Sequence, residues 1–310
     1  MKEPLIVILG PTAVGKTDVA IELAKKIQGE IISADSMLIY KYMDIGTAKP
    51  KFEERQGIPH YLIDIITPDQ PFSVADFLLE AEKKIKEIRK KDKMPMIVGG
   101  TALYLKAITE EFYFPETESD WELREKLNQE AENFGNQYVH ERLAKIDPIT
   151  ASRLHPNDLR RVIRAIEIYE LTGVALSAQP KKEKRSNYQI IKIGLIRPRE
   201  EIYARINQRV EEMIKQGLVE EVRQLLEMGY DEYLISMQGL GYKQIVPYLK
   251  GVYSLDRAVE LLKRDTRHFA KRQLTWFRRD EDIHWIEINR YSSQLQVVAE
   301  IMKVIKANIN

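Results

Sequence analysis

The sequence predicts an α/β fold, a parallel sheet core with an inserted all-helical domain. Three observations carry that prediction. Short apolar runs alternate with helical patterns in the first hundred residues and return after residue 187, the rhythm of a doubly wound sheet. The first apolar run leads straight into a glycine-bounded loop and then a helix. From about residue 115 to 185 helical patterns continue with no strand pattern among them.

Residues 4–9 (PLIVIL) are almost wholly apolar, which suits a strand covered on both faces. Gly10-Pro11-Thr12-Ala13-Val14-Gly15-Lys16-Thr17 follows and reads G-x-x-x-x-G-K-T, with a helical pattern from Lys16 to Ile27 behind it. Strand, loop and helix in that order make a phosphate-binding loop, so the core is P-loop nucleotide-kinase-like. Glycines let backbone N–H groups wrap a diphosphate, and the helix start adds a favourable dipole. Lys16 adds a point charge, and the Thr17 hydroxyl can sit on Mg²⁺. The motif specifies a diphosphate and leaves both ATP and the reaction open.

Glu30–Ala34 (EIISA) is the second strand expected, and Asp35-Ser36 stands at its carboxyl end, where open α/β sheets bind ligands. A carboxylate there can serve as general base or hold Mg²⁺ through water; a turn or helix-cap aspartate fits the same position. Tyr61–Ile66 (YLIDII) is the third strand expected, Val74–Lys90 a helix, and Met96–Val98 the fourth strand. Residues 115–150 then carry nine acidic and four basic residues, and residues 151–185 four acidic and eight basic, ending in a solvated loop over 179–185. The domains expected are therefore a catalytic core of 1–114 and 186–310, with C-terminal helices, and an insert of 115–185. Ile190–Ile196 and His284–Ile288 restore strand character.

Composition narrows the function classes. The chain has 310 residues, 48 Lys+Arg against 47 Asp+Glu, and no cysteine. That excludes disulfide scaffolds, cysteine-ligated zinc and thiol catalysis. The five histidines lack metal-ligand spacing, so no zinc is expected. No apolar stretch approaches the ~18 residues of a membrane span and no signal segment opens the chain, so a cytoplasmic protein without membrane contact, by default a monomer, is expected. A net charge of +1 hides local patches. Leu159, Val162, Ile163 and Ile166 make one apolar helix stripe, with Arg160, Arg161 and Arg164 off it. Those arginines suit phosphate contacts, or a solvated face paired with Glu167. Lys263–Arg279 holds seven basic residues and one acidic, interleaved with Phe269, Trp276 and Phe277. Cations and rings together suit a single-stranded RNA loop, although most of these rings are expected in the core.

GPTAVGKT followed by ISADSMLIYKYMDIGTAKP resembles the opening of the tRNA dimethylallyltransferase family, the tRNA isopentenyltransferases or IPP transferases. Gly99-Gly100-Thr101-Ala102-Leu103-Tyr104, the 155–165 stretch HPNDLRRVIRA, Gly239-Leu240-Gly241-Tyr242-Lys243 and Arg272-Gln273-Leu274-Thr275-Trp276-Phe277 resemble further family segments in the same order. The resemblance implies that Gly10–Thr17 grips dimethylallyl diphosphate rather than ATP, with Mg²⁺ on Thr17. It implies transfer of the dimethylallyl group to the exocyclic amine of the adenosine beside the tRNA anticodon. Asp35 would be the partner and base for that amine, Thr101 a contact to the adenosine, and Arg209 the arginine reaching the diphosphate beside Lys16. Contact with the tRNA anticodon stem-loop carries over to Asp35, Ser36, Met37 and Leu38, to Arg160, Arg161, Val162, Ile163 and Arg164, and to Gln238 through Lys243; Arg124 joins them. Lys271, Arg272 and Arg278 are further RNA-facing candidates. Leu38 departs from the glutamine common at its position. Tyr40, Tyr42 and Met43 are candidates for the prenyl pocket, with core packing as the alternative. Competing readings are free-nucleotide prenylation, a small-molecule P-loop kinase and a nucleic-acid-binding ATPase.

Overall fold

The computed structural model describes residues 2–109, 120–179 and 188–309. It divides into two compact units, Met1–Glu110 with Arg185–Asn310, and Glu111–Lys184. The 180–185 part of the expected loop and the expected boundaries at 114/115 and 185/186 lie outside the described residues.

The first half of the larger unit runs β1 (Glu3–Leu9), α1 (Lys16–Ile27), β2 (Gly29–Ala34), β3 (His60–Tyr61), α2 (Val74–Arg89), β4 (Met94–Gly99) and α3 (Ala102–Thr109). The smaller unit holds α4 (Trp121–Phe134), α5 (Asn136–Ile146), α6 (Pro148–Ala151) and α7 (Leu159–Thr172). The larger unit resumes with β5 (Tyr188–Ile196), α8 (Arg199–Gln216), α9 (Leu218–Glu227), α10 (Tyr242–Leu249), α11 (Leu255–Phe277), β6 (Ile283–Glu287) and α12 (Gln294–Ile309).

The strands form one sheet in the order β3-β2-β4-β1-β5-β6, with every pair parallel. Alternate residues of β1 explain its apolar run. Ile6 and Ile8 face the core shared with α1 and α12, while Leu5, Val7 and Leu9 face the core shared with α2 and α3. Burial on both faces leaves no position for a polar side chain. From β1 the chain builds towards β3 and back to β4, then crosses to β5 and β6 on the other side. Successive connections thus diverge next to β1, and the crevice at the carboxyl ends of β1, β4 and β2 is where this topology binds ligands.

One strand expectation is corrected. Only His60 and Tyr61 pair with β2. Leu62 and Asp64 have positive φ angles of 61° and 56°, so YLIDII turns instead of extending. Its later residues bond the 38–41 segment, with Ile65 N donating to Ile39 O at 2.8 Å and Lys41 N to Ile66 O at 2.8 Å.

In the smaller unit Leu127, Val139, Leu143, Val162, Ile163 and Ile166 form a separate core. Residues 120–179 contain no strand. A third core in the larger unit joins Ile39, Tyr40 and Met43 to Val222, Leu225, Tyr242 and Ile245. It ties the segment after β2 to α9 and α10.

Candidate active site

The phosphate loop joins β1 to α1, and its backbone is held from several sides. Arg205 Nε donates to Ala13 O at 2.7 Å and Arg197 Nε to Val14 O at 3.1 Å. Gln273 accepts from Thr12 N–H at 2.8 Å and donates to Gly100 O at 2.8 Å, bridging the loop to the carboxyl end of β4. A Cβ on Gly100 would stand 2.4 Å from that amide nitrogen, so the glycine makes room for the bridge. Arginines on the outward carbonyls leave the N–H groups at the start of α1 as anion donors.

Lys16 Nζ lies 3.0 Å from Gly10 O and 2.9 Å from Pro11 O. Burial brings its pKa down to about 8; the Asp35 carboxylate opposes that fall and Arg209 adds to it. Arg209, half-buried on α8, forms no ion pair among the described residues, and its pKa is lowered by burial and then by Arg205. Arg205, one turn earlier, is committed to the loop carbonyl. Two cations with lowered pKa values, close to a loop of N–H donors, favour a multiply charged anion.

Asp35 leaves the end of β2, and its Oδ1 accepts from Met37 N–H at 2.9 Å. Its other oxygen has no hydrogen-bond partner among the described residues. Thr101 Oγ1 accepts from Ser36 N–H at 3.0 Å and donates to Ser36 Oγ at 3.3 Å, and Thr101 N–H donates to Ala34 O at 3.1 Å. The ends of β2 and β4 are thereby locked together, with a carboxylate oxygen open beside the cationic loop. Thr17 is exposed at the start of α1. Among the described residues no three acidic or histidine side chains gather to hold a metal. Mg²⁺ at Thr17 therefore fits only as a cation completed by phosphate oxygens and water, its usual habit.

Met37 packs on Gly239: a Cβ there would lie 2.4 Å from the methionine methyl. The 35–38 and 238–243 segments are therefore neighbours. Leu38 is half-buried, Gln238 and Lys243 are exposed, and Gly239 and Leu240 are half-buried. Gly241 caps α10, its N–H donating to Gln244 Oε1 at 3.0 Å. On α11 Lys271 and Arg272 are exposed, and Arg278 is exposed at its end.

In the smaller unit Glu167, 0% exposed, collects Asp120 N–H at 2.8 Å, Arg124 Nε and Nη2 at 2.9 Å each, and Arg164. Arg161 pairs with Asp158 at 3.0 Å, and Arg160 is exposed.

A family model described as IPP transferase matches residues 38–280. The chain belongs to the IPP transferase family. A tRNA dimethylallyltransferase of Alkaliphilus oremlandii is 52% identical over 100% of this chain and 99% of its own length. One from Acetivibrio thermocellus is 52% identical over 96% of both. The structure of a Staphylococcus epidermidis tRNA isopentenylpyrophosphate transferase matches with a TM-score of 0.73 and 45% identity, covering 99% of each chain. A eukaryotic dimethylallyltransferase acting on tRNA matches with a TM-score of 0.79 and 30% identity, over 92% of this chain and 74% of its own. The enzyme class is therefore tRNA dimethylallyltransferase, ahead of free-nucleotide prenylation and of the kinase and ATPase readings.

Within this family assignment, three residues carried over as tRNA contacts have buried side chains. Val162 and Ile163 lie in the core of the smaller unit, and Tyr242 is 0% exposed in the third core of the larger one. Their side chains pack against protein and are closed to RNA. Arg124 and Arg164 are both tied to Glu167; the ion-pair alternative for the arginine helix did not include Arg124. Tyr40 and Met43 are core residues, whereas Tyr42 is exposed. Of the rings on α11, Phe277 is buried and Trp276 is exposed with Lys106 5.6 Å from its centre. The resemblance alone picked out Arg209; in the structure Arg205 differs from it in bonding the loop carbonyl of Ala13. Sequence reasoning gave no role to Gln273 or Glu221, whose backbone partners are more than 170 positions away.

Proposed function

We propose that the chain transfers the dimethylallyl group of dimethylallyl diphosphate to the exocyclic amine of the adenosine beside the tRNA anticodon, giving N6-isopentenyladenosine and diphosphate. The observation that carries this reading is the open carboxylate oxygen of Asp35 beside the Lys16–Arg209 pair. One face of the site suits a leaving diphosphate and the other an N–H donor.

An aromatic amine is a weak nucleophile because its lone pair is delocalised. As the N–C1 bond forms, the amine proton passes to Asp35, and the C1–O electron pair leaves with the diphosphate. Lys16, Arg209 and the loop N–H groups meet the charge that develops on the leaving group. Thr17 would hold Mg²⁺ with the diphosphate, and that ion would add positive charge at the leaving oxygens. Thr101, fixed on Ser36, sets the adenosine side. The target base must unstack to arrive, a cost of a few kcal/mol. The exposed cations of α11, Lys243 and Arg160 supply phosphate contacts.

Labelled dimethylallyl diphosphate, Mg²⁺ and unmodified tRNA, with AMP in a parallel tube, test the reading. Label is expected in tRNA alone. Label in AMP alone, or in neither, overturns it. Asp35→Ala should abolish transfer while diphosphate binding persists.

A further inference from the structure

The Asp44-Ile45-Gly46-Thr47-Ala48-Lys49 stretch carries part of the family resemblance, yet none of its residues belongs to the diphosphate or amine site. What it does in the structure is receive one side chain. Glu221 on α9 accepts from Asp44 N–H at 2.9 Å and Ile45 N–H at 2.7 Å through Oε2, and from Gly46 N–H at 3.0 Å through Oε1. The same Oε1 accepts from Tyr242 Oη at 2.7 Å. Three successive N–H groups form a nest for the carboxylate. Gly46 lets the turn come this close, since a Cβ there would stand 2.6 Å from the Tyr242 ring.

A second knot sits beside the first. Lys49 is nearly enclosed, donating to Tyr40 O at 2.8 Å and Asp44 Oδ1 at 2.6 Å, and it also binds Asp64. Asp64 N–H in turn donates to Leu38 O at 3.1 Å. The chain from Asp35 to Lys49 is thus fixed at its far end by Glu221 and in its middle by Lys49. Its near end meets Gly239 through Met37.

We propose that Glu221 is a positioning residue for the prenyl transfer. It locks the segment that bears Asp35 to the Gly239–Lys243 segment at the start of α10, so that the carboxylate meets the incoming amine in one fixed place. The inference rests on the proposed function for what is positioned, and on geometry alone for the lock. Four donors on two oxygens demand a carboxylate. A glutamine would turn an NH₂ towards two of those donors, whichever way it is flipped.

Steady-state kinetics and hydrogen exchange of the full chain test this. Glu221→Gln is expected to lower kcat by about tenfold or more. The KM for dimethylallyl diphosphate should stay within about twofold, because Arg197, Arg205 and Gln273 hold the phosphate loop independently. Amide protection should fall in both 36–46 and 239–243. Tyr242→Phe removes one of the four donors and should give the same split more weakly, which covers the case in which Glu221→Gln fails to fold. Unchanged kcat, or protection lost only at 44–46, overturns the proposal. Wild-type protein run alongside separates the two readings. If it transfers no label, the proposed function has failed, and the exchange pattern still decides the lock.

Discussion

Glu167→Gln isolates what one buried carboxylate does for the arginine face of the smaller unit. The side chain is fully buried and takes four donors: Asp120 N–H, two nitrogens of Arg124, and Arg164. Hydrogen bonds to a charged group are each worth about 1.5–3 kcal/mol, and breaking a fully buried pair costs about 3–5 kcal/mol. Both arginines retain solvent contact, at 26% and 34% exposure, so they regain hydration once released. The net loss is therefore set at about 2–3 kcal/mol. A helical unit of this size shifts by roughly 4–8 °C per kcal/mol, so its melting midpoint should fall by roughly 10–20 °C. Burial raises the Glu167 pKa, but the bonds from Arg124 and Arg164 outweigh it and the net shift is downward. A depressed carboxylate contributes stability that is fully present above its unfolded pKa and is lost as pH falls through the folded one. The wild-type midpoint should therefore drop more steeply than the variant's as pH is lowered below about 4. Circular dichroism melts of both proteins from pH 7 to 3 read this directly. Equal midpoints at pH 7 would show that the arginines draw no net stability from Glu167, and the reasoning would fail.

Gln273→Ala removes the bridge between Thr12 and Gly100, so the KM for dimethylallyl diphosphate should rise about tenfold, measured by initial rates at saturating tRNA; an unchanged KM would show that the two arginines suffice. With Lys16 held at a pKa of about 8, kcat/KM for dimethylallyl diphosphate should decline as pH rises past that value, while kcat stays flatter because bound diphosphate favours the ammonium; a level kcat/KM up to pH about 9.5 would contradict it. Asp147 accepts from Thr150 N–H, Thr150 Oγ1 and Ser177 N–H, and these bonds outweigh the upward push of burial to hold its pKa at about 2. Its stabilising share is present above the ordinary aspartate pKa and fades as pH drops towards 2, so Asp147→Asn should melt lower than wild type at pH 6 and lose that gap near pH 2.

The sequence made the phosphate loop legible because its chemistry is local. A diphosphate cradle needs consecutive backbone groups, and G-x-x-x-x-G-K-T supplies them within eight positions. The sheet was legible for a related reason: a strand buried on both faces reads as an unbroken apolar run, and Leu5–Leu9 is one. YLIDII failed because a short, mostly apolar run looks the same whether the backbone extends or turns. The left-handed angles at Leu62 and Asp64 accompany bonds from this stretch to residues 38–41, which lie about 25 positions away. Val162 and Ile163 were marked as RNA contacts together with the arginines beside them, although the helical stripe had already assigned them to a core.

What stayed illegible was the set of long-range restraints that turn separate motifs into one site. Gln273 joins the loop after β1 to the end of β4 from α11, and Glu221 joins the chain after β2 to α10 from α9. Neither residue type is diagnostic, since glutamine and glutamate are common on any helix. Their importance comes from the partners' geometry: backbone donors and acceptors that only the folded sheet brings together. A phosphate loop can bind its anion with local donors, but in-line transfer needs the amine, the carboxylate and the leaving oxygen in fixed mutual positions. That precision has to come from side chains reaching between strand ends. If it does, loss of Gln273 should act on diphosphate affinity and loss of Glu221 on turnover, and the double variant should show nearly additive effects, because the two restraints share no partner. Strong coupling between them would mean instead that the strand ends move as one body and that neither restraint has a separable task.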